Sequence, residues 1–159
     1  MSATLNALCG ELLATHQFFL NTISCFDEAD SSFQPTPDTY TVAHHVAHVA
    51  RTVDWFIDAA LTPEGFDLNF EAHIAEARAV NSLAVAIVWL NKAFSTAQSR
   101  LQATSDEALA QPLPLGPIMP GLPRSSVVGG IVDHSAHHRG ALAVYARLLG
   151  KIPAMPYGG

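Results

Sequence analysis

The stretch SVVGGIVDHSAHHRGALAVYARLLG, residues 126–150, decides the fold. Within it His134, His137 and His138 fall in five consecutive positions. A helix turns about 100° per residue, so positions four apart share a face. His134 and His138 therefore stack one turn apart, on the stripe that also holds Val127, Ile131, Leu142, Tyr145 and Leu149. The spacing predicts a helix whose core-facing side carries two imidazoles, with His137 towards the edge of that side. Ser125 or Ser126 is expected to cap its start, and Gly150 followed by Pro153 to end it. Gly129, Gly130 and Gly140 each cost about 1 kcal/mol of helix propensity relative to alanine. Close packing against a neighbouring element is the expected reason for their presence.

Two inward imidazoles need partners, because an unpaired polar group in a core costs free energy. A histidine pair at i, i+4 is a good chelating unit, so a metal is one answer. Hydrogen bonds within the core are the other, and the pair alone leaves both open. Ser135 occupies the position where the zinc-protease motif HExxH has its glutamate, so that reading is excluded.

The remainder of the chain sets the context. Its 159 residues are 49% hydrophobic and 14% charged, the balance of one globular domain spanning residues 1–159. A net charge of −6 gives no electrostatic footprint for nucleic acid or an anionic membrane. No apolar run approaches the roughly 20 residues of a membrane span. The N-terminal residues lack a basic region and are interrupted by Glu11 and His16, unlike a signal peptide. Cys9 and Cys25 suggest no disulfide framework, and a cytoplasmic protein is expected.

Leu5, Leu8, Leu12, Phe19, Ile23 and Phe26 recur at helical steps and predict a first helix over residues 3–26, with Thr4 as a cap. His16 is read as an ordinary helix residue. Residues 27–39 are acidic, serine-rich and carry two prolines, and read as a loop. Thr41 is expected to cap a second helix that ends near Pro63, with Val42, Val46, Val49, Val53, Phe56 and Ala60 as its apolar seam. This helix holds His44, His45 and His48. Periodicity places His45 at the edge of the seam and His48 further round, beside Trp55, so it picks His45 as the more buried. Residues 63–80 read as a loop plus a short amphipathic helix or turn. A third long helix starts near Ser82, with Leu83, Ile87, Leu90, Phe94 and Leu101 facing one way. The proline-rich run QPLPLGPIMPGLPRSS, residues 111–126, cannot be helical. Connections of this length are often functional, which makes it a candidate neighbour of the site. The tail after Gly150 is expected to fold back on the bundle.

Four long helices and no convincing strand predict an all-α four-helix bundle with a short extra helix. A bundle builds its site between facing helices, where inward histidines meet. The di-iron carboxylate alternative needs Glu-x-x-His on two helices, and that motif is absent from the sequence.

Two motifs carry a resemblance. Tyr40-Thr41-Val42-x-x-x-Val46-Ala47-His48-Val49-Ala50 and His134-x-x-x-His138-Arg139-Gly140 resemble those of the DinB-like (DinB/YfiT) metalloenzyme family. Leu149-Gly150-Lys151-Ile152-Pro153 and Pro156-Tyr157-Gly158 extend the likeness to the tail, so that it covers nearly the whole chain. The resemblance implies a bundle with up-down-down-up helix order. It also implies a divalent metal held by three histidines, matching His48, His134 and His138. On the second helix it thus points to His48, against the His45 that periodicity favours. Ala141 stands where the family commonly has glutamine, which puts any role for that position in doubt. His44, His45 and His137 are left for surface roles or for supporting the ligands.

Three neutral nitrogens leave a metal an open position, which suits a catalytic rather than a structural ion. Imidazole fits zinc, nickel and iron alike, so the metal's identity stays open. The family implies transfer chemistry with low-molecular-weight thiols such as bacillithiol or mycothiol, and related isomerases. The expected activity is therefore a thiol-dependent S-transferase on a small molecule. A metal-dependent hydrolase and a non-enzymatic, stress-associated metal-binding protein are the alternatives. A homodimer is expected, because low charge and many hydrophobics leave apolar surface to cover.

Overall fold

The periodic segments all form helices. The computed structural model describes residues 2–158; residues 1 and 159 of the expected domain lie outside it. Its helices are α1 (Ala3–Ile23), α2 (Val42–Leu61), α3 (Phe70–Arg78), α4 (Leu83–Gln102), α5 (Asp106–Ala110) and α6 (Val127–Leu148). No helix of the described residues is long and apolar enough to cross a membrane.

Side-chain oxygens cap most starts, as orphan N–H groups require. Thr41 accepts from the N–H of His44 at 3.1 Å, as expected. On α1 the cap is Ser2 rather than Thr4, accepting from the N–H of Leu5. Neither serine caps α6 through its side chain: a 3-10 turn, Arg124–Ser126, runs straight into the helix and takes the place of a cap. The first helix ends at Ile23, three residues short of Phe26, which still reaches the core from the following turn. The short helix α5 was not foreseen, because its five residues are too few to show a period.

The four long helices form a ring in the order α1, α6, α2, α4, with α1 and α2 on one diagonal. Contacts at their ends set the directions. Ser2 at the start of α1 bonds Asp106 beyond the end of α4, so these two are antiparallel. Asn21 near the end of α1 donates to the carbonyl of Pro156 beyond α6, so those two are parallel. His45 at the start of α2 meets Tyr145 near the end of α6, an antiparallel pair. His44 lies beside Asn81 and Asp58 pairs with Arg100, so α2 and α4 run together. The order is up-down-down-up, and it places one face of α2 directly against one face of α6.

Of the three helix-six glycines, close packing explains one. A Cβ on Gly130 would lie 2.5 Å from the ring of Phe56, whereas Gly129 and Gly140 have nothing within 4 Å. The proline-rich connection pins the far end of α2, where Arg124 donates to the carbonyls of Ala60 and Thr62 at 2.9 and 2.7 Å. It therefore sits away from the histidines, contrary to the expectation that it neighbours the site. The tail folds back as expected: Lys151 pairs with Asp27 and Asp30, and Tyr157 stands edge-on to Phe18.

Candidate metal centre

Positions 44, 48, 51 and 55 share one face of α2, and positions 134, 138 and 145 share one face of α6. The antiparallel pairing of the two helices brings these faces together. One nitrogen each from His48, His134 and His138 lies within 4.8 Å of the other two. The Nε2 atoms of His48 and His134 are 3.2 Å apart. The ring centroids are 5.0 Å apart for His48 and His134, 4.8 Å for His48 and His138, and 4.5 Å for His134 and His138. The grouping comes from two helices only, with α6 supplying the i, i+4 pair.

His45 is not one of the three. It is 7% exposed, the same as His138, and more buried than His48. Periodicity thus read its burial correctly, while the motif picked the residue that faces the pair. His45 lies behind the cluster, its Nδ1 2.8 Å from Nδ1 of His138 and its Nε2 3.2 Å from the hydroxyl of Tyr145. His137 is exposed, and His44 bonds Asn81 at the rim. His16 stacks on Phe94 at 4.6 Å in a different part of the bundle.

Burial holds these rings neutral. It lowers the pKa of His134 and His45 to about 4 each, with neighbouring imidazoles adding to the effect. His138, with the most imidazole neighbours, is lowered to about 2, again mainly by burial. His48 is lowered for the same reason. A neutral imidazole presents a lone pair, which is the form that binds a metal. The donor set thus fits a divalent transition ion: three convergent nitrogens, none of them charged by a proton at neutral pH.

Beside the cluster lies a pocket of about 260 Å³, into which His48 and His134 open. Trp55, Phe56, Phe70 and Ile74 make its apolar wall, and Arg51 and His73 its polar side. Glu76 holds the Arg51 Nε at 2.7 Å, and Asp67 lies 3.3 Å from His73 Nε2. Arg51, His73 and Tyr145 carry roles here that the sequence reading did not assign. Arg51 was within reach of it, three residues beyond His48 on the same helical face. His73 was not, because nothing in a nine-residue helix says which neighbour it will cover.

An all-α bundle of this helix order, with three histidines gathered between its second and last long helices, defines a class of histidine-bearing four-helix proteins. The sequence model of the DinB superfamily matches residues 11–142, and the chain belongs to that superfamily. No curated protein matches the chain. Among solved structures it is similar to the mycothiol-dependent maleylpyruvate isomerase, with a TM-score of 0.70 and 15% identity. A histidine-to-alanine variant of that enzyme gives a TM-score of 0.74 and 16% identity. Each match covers 89% of this chain and 63% of the other, so the chain spans less than two thirds of those proteins. At such identity the likeness establishes the fold.

Proposed function

We propose that this protein is a divalent-metal-dependent transferase that joins a low-molecular-weight thiol to a small electrophile, with His48, His134 and His138 holding the metal. The observation that carries the reading is the juxtaposition of three neutral imidazoles with an apolar pocket of about 260 Å³. A bound ion of this kind supplies a positive charge that lowers a thiol's pKa and keeps it as the nucleophilic thiolate at neutral pH. The three histidines supply no competing negative charge. Trp55, Phe56, Phe70 and Ile74 take up the apolar part of the electrophile and exclude water from it. Arg51 offers guanidinium N–H groups to a carbonyl or carboxylate oxygen of the same molecule. The fold likeness to a mycothiol-dependent enzyme supports a small thiol as the co-substrate. Hydrolysis is the weaker reading, since among the described residues no carboxylate lines the pocket to serve as a separate base.

The test is spectroscopic. In the cobalt-substituted protein, mycothiol or bacillithiol should shift the visible bands of the metal, as a thiolate bound there would. Bands that respond to neither thiol would reject the transferase. By the same reading the protein is cytoplasmic, with Cys9 and Cys25 both free. It also pairs as a homodimer, for which the exposed Val85 and Val88 of α4 provide apolar surface. A monomer by light scattering at micromolar concentration would reject the pairing.

A further inference from the structure

Behind the three-histidine cluster runs a chain of hydrogen bonds that ends on a main-chain carbonyl. Its members are set by simple spacings. Tyr145 follows His138 by seven residues, two turns along the same face of α6, and Tyr40 is the residue just before the Thr41 cap of α2. The hydroxyl of Tyr145 donates to the carbonyl oxygen of Tyr40 at 3.0 Å. That same hydroxyl oxygen lies 3.2 Å from Nε2 of His45, and Nδ1 of His45 lies 2.8 Å from Nδ1 of His138. His45, His138 and Tyr145 are each 7% exposed or less, so these bonds are shielded from bulk solvent.

A chain of this kind has a direction. A carbonyl has no proton to give, and a tyrosine hydroxyl has only one. With that proton spent on Tyr40, the Tyr145 oxygen can only accept, and His45 must donate to it from Nε2. Neutral His45 then has a bare Nδ1, so the proton between the two rings belongs to Nδ1 of His138. The reverse direction would direct the hydroxyl proton to His45 Nε2 and leave the Tyr145 oxygen 3.0 Å from the part-buried carbonyl oxygen of Tyr40 with no proton between them. An unsatisfied buried acceptor costs more than the bond itself contributes.

We propose that Tyr145 and His45 are positioning residues that fix His138 as its Nδ1–H tautomer, so that its Nε2 lone pair is the one presented to the cluster. The usual outer partner of a metal-binding histidine is a carboxylate, a carbonyl or water. Here the carbonyl is that of Tyr40, reached through a second imidazole and a phenol. The consequence for metal rests on the proposed function, but the tautomer does not: it is set in the protein with or without metal.

The experiment uses the full-length protein with nitrogen-15 histidine, at pH 7.5, chelator-treated and zinc-loaded. Long-range proton–nitrogen correlation reads which ring nitrogen of His138 carries the proton, and competition with a chromophoric chelator reads zinc affinity. The expected result is an Nδ1 proton on His138 in both samples. Tyr145→Phe removes only the hydroxyl, and should give mixed His138 tautomers in the chelator-treated protein and weaken zinc binding by about 10–100-fold. Phe33 stands edge-on to the Tyr145 ring, with centroids 5.8 Å apart, and touches none of the hydrogen bonds. Phe33→Leu should lower stability yet leave tautomer and affinity alone, which separates positioning from packing. A proton on Nε2 of His138 in the chelator-treated, unsubstituted protein overturns the proposal, and needs no variant to fold. A Tyr145→Phe protein with unchanged tautomer and affinity also overturns it. An Nδ1 proton on His138 in a protein that fails to bind zinc upholds the relay and rejects the metal reading instead.

Discussion

Among the eight histidines of the chain, sequence spacing separates the inward ones only in part. On α6 the i, i+4 rule identifies His134 and His138, and the structure brings both to the cluster. On α2 the rule selects by depth, and depth is the wrong measure. His45 is the more buried because it sits between helices, whereas His48 is half-buried because it faces the pocket. Which of the two meets His134 depends on how far α2 is slid along α6, and no single-helix wheel contains that offset. Alanine substitutions should therefore rank in three grades when zinc affinity is measured by chelator competition. His48→Ala, His134→Ala and His138→Ala each remove a donor and should cost more than the roughly 10–100-fold typical of an outer partner. His45→Ala should fall within that range. His137→Ala should be unchanged, as its ring is exposed. Full zinc binding by His48→Ala would sink the ligand set and return His45 to it.

The positions of the long helices were legible, because each shows an apolar period, but the caps expected on α1 and α6 are not the ones formed. The contacts between these helices were not legible, as the glycines of α6 illustrate. All three stood out as costly in a helix, and only the meeting of two helices reveals that Gly130 faces Phe56. That ring is held in place by Trp55 and Phe66, with centroids 5.3 and 5.4 Å away, so it has little room to yield. The same substitution should then have opposite signs at neighbouring positions. Gly130→Ala gains about 1 kcal/mol of propensity but meets an overpacking cost of typically 1–3 kcal/mol, for a net loss. Gly129→Ala and Gly140→Ala meet open space and should stabilise by about 0.5–1 kcal/mol. Denaturant midpoints of the three variants check this. A Gly130→Ala protein as stable as Gly129→Ala would mean that α2 and α6 are not in contact at this level. Because His48 lies two turns of α2 from Phe56, Gly130→Ala should also loosen zinc binding, a change that Gly140→Ala should not produce.

At the scale of the whole molecule, four buried or half-buried imidazoles make stability depend on pH. In the metal-free protein His134 and His45 titrate at about 4 and His138 at about 2, with His48 lowered too. In the unfolded chain each returns to about 6.5. Between these values the unfolded state binds protons that the folded state refuses, so stability rises with pH across the window. The sign is that of a depressed base: stability is whole above pH 6.5 and falls as pH drops towards 4. Each histidine that stays neutral when folded adds a slope of up to about 1.4 kcal/mol per pH unit. Zinc adds stability by mass action, so the loaded protein should melt above the chelator-treated one at pH 7.5. Protons compete for the metal only where the folded-state rings themselves titrate. The two melting temperatures should therefore fall together from pH 6.5, with part of the gap between them surviving below pH 6 and the last of it lost as pH nears 4, where His134 titrates. Free histidines would release the metal earlier, and the gap would already be lost at pH 6. Thermal melts at pH 7.5, 6, 5 and 4, with and without zinc, distinguish the two. A gap that closes by pH 6, or a chelator-treated protein whose melting temperature is flat from pH 7.5 to 4.5, would mean that the rings are not held neutral in the bundle.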